Sequence, residues 1–313
     1  MTTGSLTISI EVELGWGTHN IQRYDHLSSD GSEERRYLNR LLDACDTHSV
    51  PITFDAVGHL FYDECDGHHP GPYPDNWFDE DPGTDAETDP LFYAPDIIDA
   101  IEERNRHELC THTFSHVLAD ELPGEAICFD IETAQDIHEE HLGRRAKSYV
   151  PPNHQTPKYD ILQQHGIRSI RAPSDTSDRS QVSRFKELLF GPPVMRDPEI
   201  KDDVVETYCT TYPSLTASSL PAGQRTTHPS FRWLPVRTRQ RLHQRYLRRT
   251  LRIGMNEGRN VHFWCHLYDL SNEFQWPVIE KFLEHTARMV EDGRLEVLTM
   301  EDVDQKLRDG EEI

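Results

Sequence analysis

The sequence predicts an α/β fold built on a parallel sheet, open or closed. Three observations predict it. Short stretches of period two alternate along the whole chain with stretches of helical period. The spacing between successive strands leaves room for a crossover helix each time, as parallel pairing requires. Histidines and carboxylates gather at strand ends, and the carboxyl ends of strands are where α/β folds carry their chemistry. No internal repeat is visible, and 313 residues fit a single domain, 1–313, with one long insertion around 58–92.

The elements follow in order. Leu6, Ile8, Ile10, Val12 and Leu14 alternate with Thr7, Ser9, Glu11 and Glu13, which makes 6–14 a strand and puts the two carboxylates on one side. As the first strand of a βα pattern it is expected at the centre of the sheet, where two carboxylates need partners. Gly15-Trp16-Gly17 ends it. A helix follows over 33–48, striped by Tyr37, Leu38, Leu41, Leu42 and Cys45. The second strand covers 50–57. Residues 58–89 form a long loop rich in Pro, Gly, Asp and His, whose Tyr73, Trp77 and Phe78 suit either packing or the wall of a sugar site. A helix over 95–104 leads to a strand at 108–111, which runs into His112-Thr113-Phe114-Ser115-His116. Further helices are expected over 125–142, 157–165, 237–255, 277–290 and 300–307, and further strands over 148–150, 167–170, 204–208, 261–266 and 295–298. Residues 174–198 read as irregular. The helix over 237–255 is basic, with Arg239, Arg241, Arg245, Arg248, Arg249 and Arg252; pairing with the protein's own acidic surface is the favoured expectation, and docking of an anionic glycan or lipid carrier the sharper one.

Acidic side chains number 55 against 32 basic, for a net charge of −23 spread along the chain. That balance argues against nucleic acid or an anionic membrane surface as the main partner. Arginine far outnumbers lysine, which is confined to Lys147, Lys158, Lys186, Lys201, Lys281 and Lys306. Such a surface fits an extreme halophile. No signal peptide or membrane-spanning stretch is apparent, so a cytoplasmic location is expected. Cys45, Cys65, Cys110, Cys128, Cys209 and Cys265 show no C-x-x-C and are expected to be reduced and structural.

The chemistry gathers in five residues. His112 and His116 are spaced to face one ion. Glu11 and Glu13 share a side of the first strand. His266, at the carboxyl end of a strand, shares its side with His262 and Trp264. One carboxylate with two histidines leaves positions open on a divalent metal, as a catalytic site requires. The other carboxylate then takes a proton from water, and a further histidine gives one to a leaving amine. Those parts describe hydrolysis of an amide.

Ser9-Ile10-Glu11-Val12-Glu13, His112-Thr113-Phe114-Ser115-His116 and Phe263-Trp264-Cys265-His266 together resemble the motifs of the polysaccharide deacetylases, and Val57-Gly58-His59-Leu60-Phe61 resembles one branch of that family. The resemblance covers most of the chain. It implies a distorted (β/α) barrel of parallel strands with outer helices. It also implies removal of N-acetyl groups from a sugar in a polysaccharide or glycan precursor. By the family pattern Glu13, His112 and His116 hold the metal, expected to be zinc; Glu11 is the base and His266 the acid. Trp16, Arg171 and Trp264 are the expected substrate-binding residues.

Two positions depart from the pattern. The family's base is Asp, and Glu11 is one methylene longer. An arginine that orients the base is missing from Tyr149-Val150-Pro151-Pro152-Asn153-His154, and Arg171 is the candidate replacement. These departures keep two alternatives open: a catalytically weak glycan-binding relative, and a hydrolase of a small cyclic amide.

Overall fold

Strand β1 (Gly4–Val12) is buried along its whole length. Its two sides face different surroundings, as the period-two pattern requires. Leu6, Ile8, Ile10 and Val12 join the main apolar core with Leu38, Leu41 and Leu42 of helix α1 (Ser32–His48) and Ile97 and Ile98 of α2 (Pro95–Glu102). Ser5, Thr7, Ser9 and Glu11 lie on the other side, which is the interior of a barrel. The computed structural model describes residues 4–174, 195–210 and 214–313.

Seven parallel strands close that barrel. From β1 it runs through β2 (Thr53–Ala56), β3 (Glu108–Thr111), β4 (Ser148–Tyr149) and β5 (Ser169–Pro173). It continues from β5 to β7 (Val204–Cys209) and β8 (Asn260–His266), and β8 returns to β1. A short β6 (Glu199–Lys201) lies antiparallel on β7, and β9 (Leu295–Val297) pairs with the first residues of β1. The described helices are α1, α2, α3 (Gly124–Leu142), α4 (Tyr159–Gln164), α5 (Val236–Glu257), α6 (Leu267–Leu270), α7 (Trp276–Glu291) and α8 (Met300–Asp309), with short 3-10 turns between elements. No helix among the described residues is long and apolar enough to cross a membrane.

The barrel interior is polar near β1 and β8. Asn260 donates to the Ser5 and Thr7 hydroxyls at 2.8 and 3.2 Å, and His262 Nε2 meets Ser9 Oγ at 2.9 Å. Asn260 Nδ2 and His262 Nε2 are thus matched across the β1–β8 pair, while Asn260 Oδ1 and His262 Nδ1 have no partner among the described residues. The same register sets Glu11 opposite His266 on one side and opposite Asp55 on the other.

The structure differs from the expected elements in a few places. The first strand stops at Val12, not Leu14, because its pairing with β2 ends at Val12 and with β8 at Glu11. Beyond that point the backbone enters a 3-10 turn over Leu14–Ile21, with Leu14 at φ 46°. Strand β6 forms within a stretch that offers no alternation; its turn is made by Asp202 and Asp203, both at positive φ. Residues 175–194 of the expected irregular segment lie outside the described residues. On α5, Arg239 is buried and donates to the Ser219 carbonyl at 2.6 Å. Arg241, Arg245, Arg248 and Arg252 instead line an open groove of about 540 Å³. None of these four pairs with an acidic side chain among the described residues.

Candidate active site

The end of β1 and the loop after β3 meet at the carboxyl mouth of the barrel. Glu13 Oε1 lies 3.2 Å from His112 Nε2 and 3.2 Å from His116 Nε2, and all three side chains are buried. His112 Nδ1 lies 2.7 Å from the Val150 carbonyl, which only accepts, so Nδ1 carries the proton and Nε2 presents a lone pair. A lone pair aimed at a carboxylate oxygen is unfavourable unless a proton or a cation lies between them. Separations of 3.2 Å match the edge of a tetrahedron around an ion bound at about 2.0–2.1 Å, so the donor set fits a divalent metal. A proton competes for the same place: burial lowers the pKa of His112, but the hydrogen bond to Glu13 and nearby carboxylates outweigh burial and raise it.

The histidine motif is a tight loop rather than a helical turn, with Thr113 and His116 at φ 69° and 58°. Asp130 of α3 fastens it. Its carboxylate accepts from the backbone N–H groups of Phe114 and Ser115 at 2.7 and 3.1 Å, and from Ser115 Oγ at 2.6 Å. From the long loop, Trp77 Nε1 donates to Ser115 Oγ at 2.8 Å.

Glu11 sits beside this trio. One oxygen accepts from Arg171 and the other meets His266 Nε2 at 3.0 Å. Burial would raise the Glu11 pKa, but the Arg171 and His266 charges overcome it and bring it to about 2. Burial pulls the His266 pKa down, and the Glu11 and Glu13 charges push it well above its ordinary value. Asp269, one turn on, faces His266 Nδ1 at 3.2 Å. His266 belongs to the strand next to β1, so acid and base candidates touch along one wall instead of facing each other across a cleft.

Three expected substrate-binding residues are placed otherwise. Arg171 is 1% exposed; it donates to Ser9 Oγ at 3.0 Å and to Glu11, with its guanidinium 4.8 Å from the Trp264 ring centre. It thus holds the Glu11 carboxylate in place. Trp264 is buried and donates to the Thr210 carbonyl at 2.7 Å. Trp16 is fully buried under the long loop, its ring against His59 and Phe92. Neither Arg171 nor Trp16 presents surface to a ligand.

Asp55, Asp130 and Asp269 are site residues that sequence reasoning passed over. Asp55 is completely buried, 3.4 Å from His112 Nδ1, and neither of its oxygens has a hydrogen-bond partner. Burial raises its pKa to about 7, against the opposing pull of Arg171 and His112. Its signal in the sequence is one acid inside the apolar run Ile52-Thr53-Phe54-Asp55-Ala56-Val57. The signal for Asp269 is the spacing His266-x-x-Asp269 at a helix start, and Asp130 carries none.

Comparison with known proteins bears on the fold. The family model described as Polysaccharide deacetylase matches residues 24–170, just under half of the chain. The match takes in the histidine motif and leaves Glu11, Glu13 and His266 outside it. Among solved structures, a protein described as a polysaccharide deacetylase from Mycobacterium smegmatis superposes with a TM-score of 0.64 at 14% identity, covering 99% of this chain and 92% of its own. A second so described, from Pseudomonas aeruginosa PAO1, gives 0.63 at 12% identity, with 99% and 92% covered. An allantoinase gives 0.64 at 12% identity, with 97% and 90% covered. No curated protein matches the chain in sequence. The fold is therefore the polysaccharide deacetylase barrel.

Proposed function

We propose that this protein is a hydrolase of the polysaccharide deacetylase type that removes N-acetyl groups from a sugar in a glycan or glycan precursor. The observation that carries the reading is the buried convergence of Glu13, His112 and His116 beside the Glu11–His266 pair, at the mouth of that family's barrel. The imidazole and carboxylate donors suit zinc. Bound there, the cation supplies Lewis acidity toward an amide carbonyl. Glu11, held ionised and oriented by Arg171, takes a proton from the attacking water. His266, kept protonated by the surrounding carboxylates and oriented by Asp269, delivers a proton to the departing amine nitrogen.

One observation favours a second reading. Both Glu11 oxygens already hold a partner, Arg171 on one and His266 on the other, so an attacking water has to share a Glu11 oxygen with one of them. A protein that keeps this pair closed binds glycans without cleaving them. The likeness to an allantoinase keeps a small cyclic amide as a third substrate class.

The deciding experiment is acetate release from a panel of N-acetyl sugars and oligosaccharides at high salt, with metal-loaded wild type and Glu11→Gln. We expect the variant to keep its metal and to lose activity by about 10²–10⁴-fold, the usual loss on removing a catalytic base. Wild type that binds a panel member but releases no more acetate than Glu11→Gln overturns the deacetylase reading for those substrates and supports the binding one.

A further inference from the structure

A second group of metal-type donors lies away from the catalytic trio, within the long insertion after β2. His59, Cys65, His69 and Asp81 each direct one ligand atom to a common point, and all four atoms lie within 4.8 Å of one another. His59 stands in the 3-10 turn Gly58–Phe61 directly after β2, and the other three come from the insertion. The His59 and Asp81 side chains are fully buried and that of His69 nearly so.

We propose that these four residues form a structural zinc site that fastens the insertion to the barrel. Three of the separations fit the edges of a tetrahedron around zinc, which are about 3.3 Å between nitrogen or oxygen donors and about 3.5 Å between nitrogen and sulfur for ordinary bond lengths. His59 Nε2 is 3.3 Å from His69 Nε2 and 3.1 Å from Asp81 Oδ2, and Cys65 Sγ is 3.5 Å from His69 Nε2. His69 Nε2 and Asp81 Oδ2, at 2.5 Å, sit closer than an edge and must open by several tenths of an ångström around the ion.

The surrounding hydrogen bonds prepare each ligand, as they do at metal sites generally. His59 Nδ1 faces the Phe92 carbonyl at 3.3 Å, which fixes the proton there and leaves Nε2 as a bare lone pair. That lone pair points at a carboxylate oxygen, an arrangement that calls for a cation between them. Asp81 commits Oδ1 to Tyr93 OH at 2.5 Å and Gly83 N at 3.1 Å, and keeps Oδ2 for the common point. Gly67 N donates to Cys65 Sγ at 3.4 Å, which fixes the position of the sulfur. Gly67 and Gly83 bring the two ligand-bearing turns into backbone contact: a Cβ on Gly67, itself at φ 74°, would meet Gly83 Cα at 3.3 Å.

With four protein ligands the site is closed, so its role is structural rather than catalytic. The insertion needs such a fastening. Between Tyr62 and Ala94 it forms no helix or strand, apart from an isolated bridge between Glu64 and Asp85. Segments with so little core are held by metals or disulfides, and Cys65 has no disulfide partner. The fastening reaches the catalytic loop as well, since Gly58 and His59 donate through their backbone N–H groups to the Thr113 and Phe114 carbonyls at 2.8 and 2.9 Å.

The test exploits the one thiolate. The catalytic trio contains no sulfur, so a thiolate-to-metal charge-transfer band reports this site alone. Wild type and His112→Ala, each reconstituted with cobalt(II), are expected to show that band, and Cys65→Ser to lack it. Zinc analysis should find one equivalent fewer per chain in Cys65→Ser than in wild type, whether or not the catalytic site is filled. In the full chain, stripping zinc should expose 62–89 to limited proteolysis, and zinc alone should restore protection. Absence of the band from both cobalt proteins, or equal zinc content in wild type and Cys65→Ser, overturns the proposal. If Cys65→Ser fails to fold, the spectra of wild type and His112→Ala still decide.

Discussion

Glu11 stays ionised from about pH 2 upward, so its own titration does not set the acid limb of a pH–rate profile. In the proposed mechanism that limb falls to His112, whose pKa the Glu13 hydrogen bond and nearby carboxylates raise and where a proton and the cation compete for one lone pair. In the proposed mechanism the alkaline limb falls to His266, whose pKa the Glu11 and Glu13 charges raise well above its ordinary value; an acid at that position loses its proton as pH rises through that value. Raising the metal concentration should therefore move the acid limb to lower pH and leave the alkaline limb in place. Profiles of kcat/KM at two zinc concentrations check this, and an acid limb that ignores zinc counts against the assignment. The trio and His266 were legible in the sequence as residue types at strand ends. Their contacts were not, because the β1–β8 register that brings His266 onto Glu11 is a property of barrel closure.

At the scale of elements, the loop carrying His112 and His116 is positioned from outside itself. Asp130 of α3 holds two of its backbone N–H groups and a hydroxyl. We expect Asp130→Ala to weaken metal binding at the trio by about 10–100-fold, the usual effect of losing a residue that orients ligands. Competition with a chromophoric chelator measures it, and an unchanged affinity shows that Asp130 serves stability alone. Most elements could be read from periodicity, since β3 and the long helices carry unbroken patterns. Strand β6 could not, being three residues with two charges, and Asp130 looks in the sequence like any polar residue on a helix. Cys65 is read as structural because, beyond the spacing Cys65-x-x-x-His69, the other members of its group, His59 and Asp81, lie in separate turns with no local spacing to betray them.

The whole molecule carries 55 acidic against 32 basic side chains, and many of its described ion pairs lie at the exposed surface, where each contributes little. Net repulsion then depends on the solvent. The Debye length shrinks from about 10 Å at 0.1 M salt to about 3 Å at 1 M, which screens like charges on neighbouring elements. Thermal melts should accordingly show a higher Tm at 1 M than at 0.1 M, and an unchanged Tm would remove the halophile reading. The parallel α/β class was legible from alternation alone. Closure into seven strands was not, because β4 is only two residues long and has no period to read.

Strand β1 is bordered by β2 and β9 on one side and by β8 on the other, which imposes an order of assembly during synthesis. Ser9 waits for His262, 253 positions later, and Ser5 for Asn260, 255 positions later. At about 5–20 residues per second a ribosome needs roughly tens of seconds to supply that partner. Glu13, His112 and His116 have all emerged far earlier. The nascent chain thus holds the residues of its candidate cation site while Glu11 still lacks both Arg171 and His266.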